Sequence, residues 1–150
     1  MGTFDPDGFM NSSVEQANEV NYTPIPEAEY TAILETVKAR EIQTKNGPAQ
    51  MLDCGWHILD EELRGKMDME KIIVNQSLFL DFTPDGRLEF GLNKNVTLGR
   101  LREAFGQNTG KPWSPQDLVG SGPITIKVGQ RPDKNDPSKI YNSVTGYAAA

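Results

Sequence analysis

The chain is poor in the residues on which most catalytic and metal chemistry rests. Of its 150 residues, one is cysteine (Cys54) and one is histidine (His57). A lone cysteine excludes an internal disulfide framework and fits a reducing compartment. A lone histidine excludes every site that needs two. No apolar run approaches the ~20 residues of a membrane helix. The opening Met1-Gly2-Thr3-Phe4-Asp5-Pro6-Asp7 has acid where a secretory signal has base, and no apolar segment follows. The chain therefore reads as cytoplasmic, with no membrane contact. Basic residues are missing from 1–29 altogether, where six acids stand alone: Asp5, Asp7, Glu15, Glu19, Glu27 and Glu29.

Hydrophobic residues make up 37% and charged residues 24%, an ordinary balance for a globular domain. The length fits one domain, or one domain with a tail, and suffices for a core without staples. The net charge of -6 sits in the first 29 residues, because the remainder holds 15 basic and 15 acidic side chains. Residues 86–150 hold nine basic and five acidic residues. The overall basic excess usual in nucleic-acid binders is absent.

Residues 1–24 are polar, acidic and aperiodic, and read as a flexible arm in which Phe4, Phe9 and Met10 are available to dock on the body or a partner. A domain is expected over 25–150. Pro24 and Pro26 stiffen its start. Tyr30, Thr31, Ile33, Val37 and Ile42 predict a strand over 28–42. Asn46-Gly47 predicts a hairpin with positive φ at both turn positions. The return strand over 50–59 puts Leu52, Cys54, Trp56 and Ile58 on one face. Asp60 to Lys66 reads as a charged connection. A third strand is expected over 71–82, a tight turn at Thr83-Pro84-Asp85-Gly86, and a short strand at Leu88–Phe90. The period then changes: Leu98, Leu101 and Phe105 share one helical face over 96–105, with Asn95 as cap and Gly106 as terminator. Ser114-Pro115-Gln116-Asp117 carries the signature of a capping box on a one-turn helix. Strands over 123–131, with Ile124, Ile126 and Val128 on one face, and from Ile140 to Thr145 complete the pattern. Three strand regions, a helix and two more strands match a mostly β, five-stranded OB-type Greek-key barrel with one helix between strands 3 and 4 and a short helical turn after it.

Catalytic and metal sites find little support. Cys54 and His57 are too few for a zinc site and point to opposite faces of a strand. Asp60-Glu61-Glu62 suits a solvated turn better than the rigid carboxylate set of a metal nuclease. There is no nucleophile elbow and no phosphate loop. No enzyme, cofactor or metal is expected. A binding surface remains. In an OB barrel the ligand lies across strands 2 and 3, flanked by the 1–2 and 4–5 loops. Lys38, Arg40 and Lys45 fall on the first hairpin; Lys127, Arg131, Lys134 and Lys139 fall on the last. Within 38–45 and 127–139 these seven of the 15 basic residues stand with only three acids, Glu41, Asp133 and Asp136. Single-stranded nucleic acid requires such cations for its phosphates, and aromatic plates worth roughly 1–3 kcal/mol per stacked base. Tyr141, expected to face out beside Lys127, is the first choice for stacking. Trp56, Phe79 and Trp113 follow, with Trp56 equally suited to the core. A protein-interaction module on the same barrel, an inhibitor or assembly factor using the acidic arm, is the competing expectation.

Three segments carry a family resemblance. Residues 22–34 (Tyr-Thr-Pro-Ile-Pro-Glu-Ala-Glu-Tyr-Thr-Ala-Ile-Leu), the helical set Leu98, Leu101, Ala104, Phe105 and Gly106, and the closing Tyr141-Asn142-Ser143-Val144-Thr145-Gly146-Tyr147 stand in order across about 22–147. Together they resemble phage-encoded OB-fold single-stranded DNA-binding proteins. That resemblance implies sequence-independent coating of single-stranded DNA during replication or recombination, in the host bacterial cytoplasm. It also implies phage or host replication and recombination proteins as partners, and leaves homo-oligomerisation open. Ala28 stands where the family pattern has Gly. The last residues, Tyr147-Ala148-Ala149-Ala150, lack the acidic tail through which many such proteins recruit partners.

Overall fold

A computed structural model describes residues 4–16 and 23–149. Of the arm expected over 1–24, residues 1–3 and 17–22 lie outside the described residues, as does Ala150. The first strand region becomes β1 (Ala28–Thr44), which turns at Lys45-Asn46 into β2 (Gly47–Ile58). The two positive φ values expected at this turn reduce to one, at Gly47 (φ 108°). Thr44 Oγ1 donates to the Gly47 carbonyl at 2.6 Å and accepts from Asn46 N–H at 3.2 Å, so the turn needs only one residue free of steric restriction. Three further strands follow: β3 (Ile73–Leu80), β4 (Ser121–Pro132) and β5 (Ile140–Ala149). They form one five-stranded sheet in the order β3-β2-β1-β4-β5, with every neighbouring pair antiparallel. The architecture is mostly β with a few short helices, consistent with a barrel-like fold. Among the described residues, no helix is long and apolar enough to cross a membrane.

β1 is the spine of the sheet and carries a register shift at Leu34–Thr36. Before it, Tyr30, Ala32 and Leu34 face inward and are buried. After it, Val37 packs on the core and pairs with Cys54. The extra residue thus swaps the faces of the strand. Gly55 lies opposite the shift, where a Cβ would come within 2.3 Å of Thr36 Oγ1. Without the swap, Lys38 and Arg40 would continue the inward series of even-numbered positions.

The expected inward sets hold. Leu52, Cys54, Trp56 and Ile58 on β2 are buried, as are Ile124, Ile126 and Val128 on β4. Trp56 is fully enclosed and stacks on Phe105 at 6.0 Å between ring centroids, with Tyr147 at 5.8 Å. Ile25 is 1% exposed and held at both ends of its peptide unit: its N–H donates to Asn142 Oδ1, and its carbonyl accepts from Gln130 Nε2 and Asn142 Nδ2.

The connections depart from expectation in three places. Asp60–Lys66 is not a bare connection, because Asp60 accepts from Leu63 N–H at 3.0 Å and caps a helix over Glu61–Met67, here α2 (following the arm's short helix α1, Pro6–Met10). Its acids stand in the first turn and its bases in the last, in line with the helix dipole, and Leu63 is buried. The strand expected at Leu88–Phe90 shrinks to one bridge, Phe82 to Leu88. Asn95 does not cap α3 (Val96–Ala104). Its side chain turns back instead, accepting from Asp81 N–H and donating to the carbonyls of Asp81 and Glu89, while its own N–H donates to Asp81 Oδ2. These bonds close the loop between β3 and α3. Gly106 ends α3 at φ 71°, and the capping box at Ser114–Asp117 starts a 3₁₀ turn over Pro115–Leu118, both as expected.

Asn95→Ala removes three side-chain hydrogen bonds from a half-buried position, each worth about 1 kcal/mol net. Urea unfolding is expected to show a loss of about 2–3 kcal/mol, and an unchanged midpoint would deny the loop closure any net weight.

Candidate functional site

Two edge strands create the main concavity. β3 forms its ladder with β2 and β5 with β4, so their outer edges face each other across a groove of about 1070 Å³. Met51 and Phe79 line one side; Arg131, Lys134 and Tyr141 line the other. Phe79 is 67% exposed because it alternates with Leu78 and Leu80, which turn toward the core. Tyr141 is 39% exposed and pairs across the hairpin with Arg131. The groove thus presents two aromatic rings and two exposed cations.

The loop joining β4 to β5 turns its acids onto itself. Asp133 Oδ1 accepts from the N–H groups of Asn135 and Asp136, and Asp136 Oδ1 accepts from the Ser138 N–H and hydroxyl. The Ser138 hydroxyl, then its N–H, holds the Asp136 carboxyl below the usual range. Both carboxylates are therefore engaged by loop amides, while the Lys134 side chain stands exposed at the groove.

On the opposite flank a row crosses three strands in register: Arg40 on β1, Met51 on β2 and Phe79 on β3. Arg40 approaches Met51 Sδ at 3.9 Å and forks onto Asp53, with Nε to Oδ2 at 2.7 Å and Nη2 to Oδ1 at 3.1 Å. Ser77 donates to the same carboxylate at 2.6 Å. The Arg40 bonds, then that of Ser77, hold the Asp53 carboxyl below the usual range. Arg40 is accordingly committed to a carboxylate at the groove margin.

The nine residues expected at a binding surface separate into groups. Arg131, Lys134 and Tyr141 meet in the groove. Arg40 touches its Met51, and Lys38 lies on the same outward row as Asp53 and Ser77. Lys45 stands at the tip of the first hairpin. Lys127 pairs with Glu29 and Gly146, away from the groove, so Tyr141 is beside Arg131 and not beside Lys127 as expected. The seven-residue loop 133–139 sets this register, which a shift between Lys127 and Val128 then displaces by one. Lys139 closes the base of that loop through its backbone and does not line the groove. Trp56 has no exposed surface and donates its indole N–H to Gln76 at 3.0 Å, so it offers no face for stacking. Trp113 is covered by the Arg102 guanidinium at 4.0 Å and donates to Gln107. Phe79, expected only as a later choice for stacking, stands exposed in the groove, as the alternation of 78–80 turns it outward.

Among the described residues, no three His, Cys, Asp or Glu side chains gather to hold a metal. Asp60 caps α2, while Glu61 and Glu62 pair with Arg64 and Lys66. Compared with known proteins, the chain matches no protein-family model and no curated sequence.

Two measurements check this chemistry. Burial, then the neighbouring Asp53, pushes the Cys54 thiol up to about 12, so it is expected to ignore thiol reagents at pH 8 until the chain unfolds; rapid labelling of folded protein contradicts its enclosure. Asp53, depressed in the folded state, favours folding above the ordinary aspartate range and loses that contribution as pH falls through its folded value. Carboxyl NMR titration is expected to show this low midpoint and its return toward the ordinary value in Arg40→Met.

Proposed function

We propose that the chain is a non-catalytic, sequence-independent single-stranded DNA-binding protein on an OB-type barrel, acting in phage DNA replication or recombination. The observation that carries this reading is the groove that joins exposed Phe79 and Tyr141 to Arg131 and Lys134. Single strands offer unstacked bases to aromatic faces and phosphates to cations, and this groove has the chemistry for both. The strand order, α3 between β3 and β4, and the groove's place between the face of β2–β3 and the β4–β5 loop support the OB-type reading. The three family-like segments support the phage context. Binding proceeds by counterion release as cations neutralise phosphates, with stacking on the two rings.

A protein-interaction module is the second reading, favoured by apolar side chains left exposed beside acids in the arm. Phe4, Phe9, Met10 and Val14 are 58–78% exposed, and Phe4 and Phe9 lie 5.7 Å apart. Pull-down from a bacterial lysate with and without residues 1–24 separates the two: arm-dependent capture with no oligonucleotide affinity favours the second.

Titration of labelled oligo-dT over a salt series tests the first. Affinity is expected to fall steeply with salt and to exceed that for duplex; a flat response removes the reading. Phe79→Ala and Tyr141→Ala are each expected to weaken binding by about 1–3 kcal/mol. Asp53→Asn, which releases Arg40 from its fork, is expected to tighten binding and steepen the salt slope by about 0.7. An unchanged slope would mean that the freed guanidinium meets no phosphate.

A further inference from the structure

We propose that Gln76 is a positioning residue that sets the width of the groove, and that the β3–β5 seam it bridges is the part of the wall that yields when a polynucleotide enters. This role rests on the groove being the polynucleotide site. Along the other four strand boundaries, backbone ladders hold the sheet. At the seam, among the described residues, a side-chain relay does so: Trp56 Nε1–H donates to Gln76 Oε1 at 3.0 Å, and Gln76 Nε2–H donates to Tyr147 Oη at 2.5 Å. A primary amide suits this position because it accepts from an indole and donates to a phenol at once. Glutamate lacks the donor, and leucine leaves the enclosed indole N–H unpaired.

Space on either side lets the seam move. Gln76 borders the main groove and also a second cavity of about 500 Å³, lined by Thr97, Arg100 and Tyr147 among others. Close-packed walls resist displacement, but a seam with cavities before and behind it has few atoms to push aside. Phe79 lies three residues beyond Gln76 on β3, and Tyr141 lies six before Tyr147 on β5. The point at which Gln76 holds β3 against β5 therefore fixes how far apart the two rings stand. Regions tied by few hydrogen bonds open locally at lower free energy than laddered strands.

Amide hydrogen exchange on the free full-length chain tests the seam without any ligand. Tyr147→Phe keeps the ring against Trp56 and removes the phenol oxygen; Gln76→Met removes both bonds. Each is expected to speed exchange in β5 and in β3 by about fivefold or more, the weight of one lost bond, with the β1–β2 pairing unchanged. Both are also expected to weaken oligo-dT binding several-fold at constant salt slope, since no cation is altered. Unchanged exchange in Tyr147→Phe, with oligo-dT binding intact in the wild type, overturns the seam alone. A wild-type chain that ignores oligo-dT at low salt overturns the functional reading, and with it the polynucleotide's passage through the seam. Gln76→Met failing to fold leaves Tyr147→Phe to decide.

Discussion

The structure depends on one irregularity in one strand. β1 pairs with β2 along most of its length and with β4 over its first half, so it belongs to both halves of the sheet. A strand of 17 residues with strict alternation would bury the same set of positions throughout. The shift at Leu34–Thr36 ends that series. It lets Tyr30, Ala32 and Leu34 fill the core while Lys38 and Arg40 face solvent, Arg40 on the row that leads to Met51 and Phe79. Gly55 makes room for the shift, because Thr36 stands where a side chain at 55 would begin. The core and the charged margin of the groove are two consequences of the same extra residue.

Around that spine, polar side chains fix what the ladders do not. Asn95 and Asp81 close the loop before α3. Asn142 and Gln130 hold Ile25. Asp133 and Asp136 satisfy the amides of their own loop, and Gln76 spans the two edge strands. At the buried positions, the Ile25 peptide and the Trp56 indole, each places a donor or acceptor where a group would otherwise lack a partner, a loss of about 1–3 kcal/mol apiece. The same economy shapes the electrostatics. Carboxylates near the groove are tied to amides, hydroxyls or Arg40, which leaves Arg131 and Lys134 as the exposed cations that line it.

The chain as a whole is acidic, and the groove is not. Charge averaged over 150 residues is a poor guide to a concavity lined by a few side chains, because fields between exposed groups are screened within about 10 Å. The first 29 residues account for the imbalance, with six acids and no base, four of those acids in the arm. Local charge at the groove is set by which residues the β4–β5 loop delivers to the edge of β3.

By itself the sequence determined the five strands of the sheet, a helix over 96–105 that ends at Ala104, its glycine stop, the capping box at 114–117 and the inward sets on β2 and β4. All of these follow from side-chain period and local backbone chemistry, which act over a few residues. It also placed Arg131, Lys134 and Tyr141 on one hairpin. Tertiary structure alone decided that Phe79 joins them, that Trp56 is sealed in the core, that Lys127 and Lys139 lie elsewhere, and that Arg40 is held by Asp53. These outcomes turn on the meeting of two edge strands distant in sequence and on register shifts of a single residue. A one-residue shift exchanges the two faces of a strand, and nothing in the local pattern of β1 marks where that exchange occurs.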